Sequence, residues 1–185
     1  MRLFVAIELA APVRAALTRV QQGLAGKCRS VRWIPSEQLH VTLKFLGEVV
    51  DADVLRVGEA TTRAAARCAA LEMSLVGCGC FPPRGNVRIA WVGIEKGAEP
   101  MSKLAVSLDE QFAELGFAPE RRPFSPHITI GRVREGQPTQ GVREALAAFS
   151  FPGVAQSVDR IVLMSSVLSP RGPTYAVVRE APLSG

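Results

Sequence analysis

The chain contains only two histidines, His40 and His127, and each is followed two residues later by a threonine, Thr42 and Thr129. One half reads His40-Val41-Thr42-Leu43 and the other His127-Ile128-Thr129-Ile130, 87 residues further on (40 to 127) in a chain of 185. In a β-strand, residues two apart share a face, so each run presents an imidazole and a hydroxyl on one side and anchors itself through apolar neighbours on the other. Two imidazoles facing one groove supply what displacement at a phosphodiester requires: a base for the attacking oxygen and an acid for the leaving one, on opposite sides of phosphorus. An ordinary pKa near 6.5 lets one ring be neutral while the other carries a proton around neutral pH. The two hydroxyls can donate hydrogen bonds to the non-bridging oxygens. Arg132, five residues past His127, is the candidate cation for the charge that accumulates there.

A lone histidine on a strand is more often structural than catalytic, so the weight lies on the pair. The chain has seven threonines, and random placement would set one two residues after both histidines only about once in several hundred cases. Duplication of an ancestral lobe explains the echo as well as catalysis does. Under that duplication a pseudo-twofold axis brings the two polar faces to a single central groove.

The surrounding elements must position these faces. The apolar run Leu3 to Glu8 predicts a strand buried on both faces, and a helix follows from Pro12, with Val13, Leu17, Val20 and Leu24 at core spacing, to a stop at Gly26. Strands are expected at Val31 to Ile34 and at about Leu39 to Leu46. Asp51 is placed to cap a helix running to about Ala70, with Val54, Leu55, Ala65 and Cys68 among its apolar positions. Strands at about Glu72 to Gly77 and Val87 to Ile94 flank the turn-rich Pro82-Pro83-Arg84-Gly85-Asn86. The clearest helix begins near Pro100, with Met101, Leu104, Leu108, Phe112 and Leu115 on one face and Gly116 as its stop. A strand from His127 to about Val133, a short helix from Gln140 to Phe149, and strands at about Val158 to Leu168 and Thr174 to Arg179 complete the order. Strands that occur in adjacent pairs between helices predict an α+β fold and not a doubly wound parallel sheet.

Composition limits the partners. The net charge of +5 and pI near 9.4 favour an anionic partner. No apolar run approaches the length needed to cross a bilayer, and the first residues read as a strand and not a signal peptide, so a cytoplasmic protein is expected. Cys28, Cys68, Cys78 and Cys80 lack the spacing of a disulfide framework, and Cys78-Gly79-Cys80 lacks a second ligand pair. Reduced structural thiols are expected, ahead of a zinc or redox role.

Beyond the two short motifs, several longer runs resemble the two-histidine phosphoesterase superfamily, in the branch of RNA 2′,3′-cyclic phosphodiesterases, also called 2′-5′ RNA ligases. These are Arg2-Leu3-Phe4-Val5-Ala6-Ile7, Trp33 to Glu48 around His40, Phe81-Pro82-Pro83, Arg88 to Gly93, Pro126 to Arg132 around His127, and Leu168-Ser169-Pro170-Arg171-Gly172-Pro173-Thr174-Tyr175. The resemblance spans essentially the whole chain. It departs slightly at Ile130, where leucine is commoner, and at Gly131 before the arginine. It implies one bilobal domain over residues 1–185, a duplicated fold of two antiparallel β-sheets with helices on their outer faces and a central groove, and hydrolysis of a terminal 2′,3′-cyclic phosphate to a 2′-phosphomonoester. It further implies His40 as proton donor and His127 as proton acceptor, with Thr42, Thr129 and Arg132 binding substrate, no metal and no cofactor. The partner expected is RNA with 2′,3′-cyclic phosphate ends, or cyclic nucleotides, bound by a monomer without a membrane. The alternatives are joining of such ends to 5′-hydroxyl RNA and a non-catalytic module that binds RNA ends. Trp33, Phe45, Phe81 and Phe124 are candidates to stack on a base, with core packing the expected role for most of them. Arg88, Arg121, Arg122 and Arg134 either track an RNA backbone or form a solvated face.

Overall fold

A computed structural model gives the structure of residues 1–170 and 172–184; Arg171, within one of the runs quoted above, lies outside the described residues. The first apolar run forms β1 (Arg2–Glu8), with residues 3 to 7 all buried. Pro12 sits in the first turn of α1 (Ala11–Ala25), whose Val13, Leu17, Val20 and Leu24 face the core. The order continues with β2 (Val31–Trp33), β3 (His40–Glu48), α2 (Val54–Ala65), β4 (Leu71–Phe81), β5 (Ile89–Ile94), α3 (Ala98–Ala113), β6 (His127–Val133), α4 (Val142–Ala147), β7 (Ala155–Val158), β8 (Arg160–Ser169) and β9 (Gly172–Pro182).

Some elements differ from expectation. Asp51 does not cap α2: residues 51–53 form a 3₁₀ turn, Asp53 holds the N-cap position without a side-chain bond, and the helix ends at Ala65. Leu55 is 62% exposed and not in the core. Strand β4 does not stop at Gly77, because that glycine takes φ +49° at a register shift between Val76 and Cys78 and the strand runs on to Phe81. The four-residue β7, paired to Leu71–Ser74, is too short to show a periodic pattern in sequence. Helix α4 spans only Val142–Ala147.

The strands line up as β7-β4-β5-β6-β3-β1-β8-β9, with β2 beside β6, and the ladders between these strands are antiparallel. The fold is α+β, and its two expected sheets meet between β3 and β6 through one residue pair, Val41 and Ile128, forming one continuous sheet. One face carries the main core, in which Val41, Ile128 and Ile130 meet Leu17 of α1 and Leu104 and Phe112 of α3. The opposite face holds a smaller cluster of Phe4, Ala6 and Val162, with Met164 and Tyr175 against it.

The pair Val41 and Ile128 is also where the two motifs relate to one another, since each residue directly follows a histidine. The likeness extends to an irregularity in the ladder. Against β1, the partners run Ala6 with Thr42 and then Val5 with Lys44, leaving Leu43 unpaired. Against β5, they run Trp91 with Thr129 and then Ala90 with Gly131, leaving Ile130 unpaired. Both strands therefore carry a bulge at the third residue after the histidine, where alternation of faces resets. The buried Gln21 of α1 secures the second bulge by donating from Nε2 to the carbonyls of Ile130 (2.9 Å) and Ile34 (2.8 Å).

Past that bulge, Gly131 turns to the core face against β2. A Cβ there would lie 2.4 Å from Val31 Cγ1 and 3.0 Å from the Trp33 ring. Gly131→Ala should cost about 1–3 kcal/mol through overpacking, measured as a lowered urea midpoint with an unchanged m value.

Candidate functional site

Strict alternation would turn Arg132, five residues past His127, away from the histidine face. The bulge at Ile130 restores it to that face, and the bulge at Leu43 does the same for Phe45, which pairs with Phe4 and is 60% exposed. The same shift drives Lys44 to the helix side. There it is 4% exposed, with Nζ 2.5 Å from Asp109 Oδ1 of α3 and donating to the Ala118 carbonyl at 3.0 Å.

Val41 and Ile128 pair across β3 and β6, and each directly follows a histidine. The histidines therefore flank that pair on one face, one from each strand. Each ring is anchored in the same way. Nδ1 of His40 donates to the Gln38 carbonyl at 2.8 Å, and Nδ1 of His127 donates to the Ser125 carbonyl at 2.7 Å. A carbonyl accepts only, so both rings hold their proton on Nδ1 and leave Nε2 as the atom available to a ligand. The Thr42 and Thr129 hydroxyls have no hydrogen-bond partner among the described residues.

Aromatic rings enclose each imidazole. His40 lies 5.0 Å from Phe4 and 5.4 Å from Tyr175, the latter edge-on. His127 lies 5.1 Å from Phe81 and 6.4 Å from Trp91. The Trp91 ring crosses β4 where Gly79 has no side chain, since a Cβ there would lie 2.3 Å from it. Burial holds His40 below the ordinary imidazole value; the Gln38 carbonyl pushes upward against this, and the nearby Arg132 guanidinium pushes further down. Burial likewise lowers His127, opposed by the Ser125 carbonyl. Both rings are therefore neutral over more of the acidic range than a free imidazole.

The structure thus brings His40, Thr42, His127, Thr129 and Arg132 to one face. Of the aromatic candidates, Phe81 and Phe45 reach that face, whereas Trp33 and Phe124 pack against the core. Arg88, Arg121, Arg122 and Arg134 are exposed. Phe4, Trp91 and Tyr175 entered the sequence reading only within the family-like runs; their contact with the histidines depends on strand register, which no local pattern encodes. The four thiols are free, and burial raises Cys28, Cys68 and Cys78, the last to about 11 with a smaller contribution from Cys28. A separate hollow of about 360 Å³, lined by residues that include Glu8, Arg14, Gln156 and Arg160, opens at the end of β1 and is not lined by either histidine.

Residues 6–169 match the family model of the 2′-5′ RNA ligase superfamily. Relatives named RNA 2′,3′-cyclic phosphodiesterase include one from Thermus thermophilus, 36% identical with 100% of this chain and 91% of the relative covered. Another, from Thermotoga maritima, is 31% identical with 100% and 97% covered. Among solved structures, TT0787 of Thermus thermophilus superposes with a TM-score of 0.83 at 32% identity, covering 100% of this chain and 99% of that one. E. coli LigT complexed with 3′-AMP superposes at 0.78 and 25% identity, covering 100% and 98%.

The asymmetry at Arg132 is measurable. In a proton–nitrogen NMR titration both histidines should show the Nδ1–H tautomer when neutral and midpoints below about 6.5. Arg132→Gln removes a cation that opposes protonation, so the His40 midpoint should rise while that of His127 holds.

Proposed function

The chain belongs to the 2′-5′ RNA ligase superfamily, and from that premise we propose that it hydrolyses terminal RNA 2′,3′-cyclic phosphates to 2′-phosphomonoesters. The observation that carries this reading is the matched pair of imidazoles on one sheet face, each anchored through Nδ1 with Nε2 free. With the cyclic phosphate between them, His127 Nε2 takes a proton from water as the water oxygen attacks phosphorus. The P–O3′ bond breaks, and His40 Nε2–H delivers a proton to the departing oxygen. The Thr42 and Thr129 hydroxyls donate to the non-bridging oxygens, and Arg132 balances the added charge.

Neutral rings fit this scheme because the substrate brings its own counter-charge. A phosphate anion beside His40 favours the imidazolium, offsetting burial and Arg132, so the acid is loaded as the substrate binds. The route uses no metal, and turnover should persist in excess chelator. The same groups catalyse ligation if a 5′-hydroxyl replaces water, a reading favoured by the family's description. Incubating cleaved RNA halves and looking for joined product separates the two. In the proposed reading residues 1–185 work as one bilobal, monomeric, cytoplasmic unit. No helix among the described residues is long and apolar enough to cross a membrane.

His40→Ala and His127→Ala should each lower kcat on a 2′,3′-cyclic-phosphate oligonucleotide by about 10²- to 10⁴-fold. Replacing the bridging 3′ oxygen with sulfur gives a leaving group that needs no acid. That substrate should restore turnover to His40→Ala and leave His127→Ala impaired; the opposite pattern reverses the two roles, and full activity of both variants overturns the mechanism.

A further inference from the structure

Arg32 of β2 stands directly opposite Arg132 of β6 in the antiparallel ladder. On either side of Arg32, Val31 and Trp33 turn inward against the core and against Gly131, so the two arginines share the groove face. Like charges at directly opposed positions of a ladder repel. Neither guanidinium has an ion-pair or hydrogen-bond partner among the described residues. Three acidic groups elsewhere around the sheet are engaged, Glu8 and Glu180 with Arg160 and Glu48 with the N-terminal amine. The start of β9 lies against this end of the sheet. Gln38 Nε2 donates to the Pro173 carbonyl at 3.0 Å, and Arg32 Nη2 lies 3.9 Å from where a Cβ on Gly172 would stand.

Two opposed, unpaired guanidiniums are stabilised by an anion that bridges them. Because Ile130 bulges, Arg132 lies three ladder steps beyond Ile128, about 10 Å along the strand from the pair that centres the histidines. Extended arginine side chains reach back over much of that length, which is the range of the next phosphate along a nucleotide chain. We propose that Arg32 binds the phosphodiester on the 5′ side of the reacting nucleotide, with Arg132 set between that phosphate and the reacting one and facing both, making the protein selective for RNA ends that carry an internal phosphate over free 2′,3′-cyclic mononucleotides. The proposal rests on the phosphodiesterase reading above.

The test compares a dinucleotide ending in a 2′,3′-cyclic phosphate, the same dinucleotide with a neutral methylphosphonate at its internal linkage, and a 2′,3′-cyclic mononucleotide. For the unaltered protein, neutralising the linkage should lower kcat/KM about ten- to a hundredfold, the range of a charge-assisted hydrogen bond. Arg32→Gln should show that loss on the charged dinucleotide and be indifferent to the methylphosphonate. Its plot of log kcat/KM against log salt should be shallower by about 0.7, while Arg32→Lys retains the slope. The proposal is overturned if Arg32→Gln responds to the methylphosphonate as the unaltered protein does, or lowers mononucleotide and dinucleotide turnover by one common factor. Failure of the underlying reading looks different, because then the unaltered protein turns over none of the three substrates. In that case the Kd values of a 3′-phosphorylated dinucleotide and its methylphosphonate counterpart, for the unaltered protein and Arg32→Gln, decide the role of Arg32 by the same criterion.

Discussion

Side chains alternate along a strand, and the site depends on where that alternation is broken. The unpaired residues Leu43 and Ile130 each reset the facing of everything downstream. Before the bulge, His40 and Thr42, like His127 and Thr129, present polar groups to the groove while Val41 and Ile128 fill the core. After it, Arg132 and Phe45 return to the groove face, and Lys44 is carried to the helix side. Without the reset, Arg132 would be forced toward the apolar core and Lys44 toward the histidines.

The bulges are held from the helix side. Gln21 Nε2 and the Ile34 amide both donate to the Ile130 carbonyl, so the bulged residue's acceptor is fully engaged from that side. Lys44 meets Asp109 and the Ala118 carbonyl, with Glu120 Oε1 at 3.6 Å, and the Glu120 amide in turn donates to Asp109. A buried ammonium is costly alone and tolerable once paired and hydrogen-bonded. These contacts connect the strand that bears His40 to the loop that leads into His127, so the two histidines are fixed by one connected body of structure.

The two motif-bearing strands are alike in the groups that surround each histidine and differ five residues on. Both imidazoles donate from Nδ1 to the carbonyl two residues earlier, which fixes their tautomers, and both sit buried among aromatic rings, where burial depresses their pKa values against the upward push of that carbonyl. At the equivalent position five residues on, one half presents the cation Arg132 and the other the ring of Phe45. The groove thereby acquires a polarity. Its Arg132 end attracts anions, while Phe45, exposed over the buried Phe4, gives the other strand pair an aromatic surface.

Much of this was legible in the sequence, because the informative signals are local. Spacing of two between histidine and threonine, apolar residues at the intervening positions, and the recurrence 87 residues later determined the shared faces of His40, Thr42, His127 and Thr129 and pointed to acid-base chemistry at a phosphate. Helical periodicity likewise marked the buried faces of α1 and α3. Where the pattern was short or interrupted, at β7, at Gly77 in β4 and at the start of α2, local signals misplaced the element. Only the tertiary structure decided which side of β6 carries Arg132, that Arg32 lies opposite it, and that Phe4, Trp91 and Tyr175 close around the histidines. The physical reason is that a bulge and a cross-strand register belong to two strands at once, and neither strand's residues specify them alone.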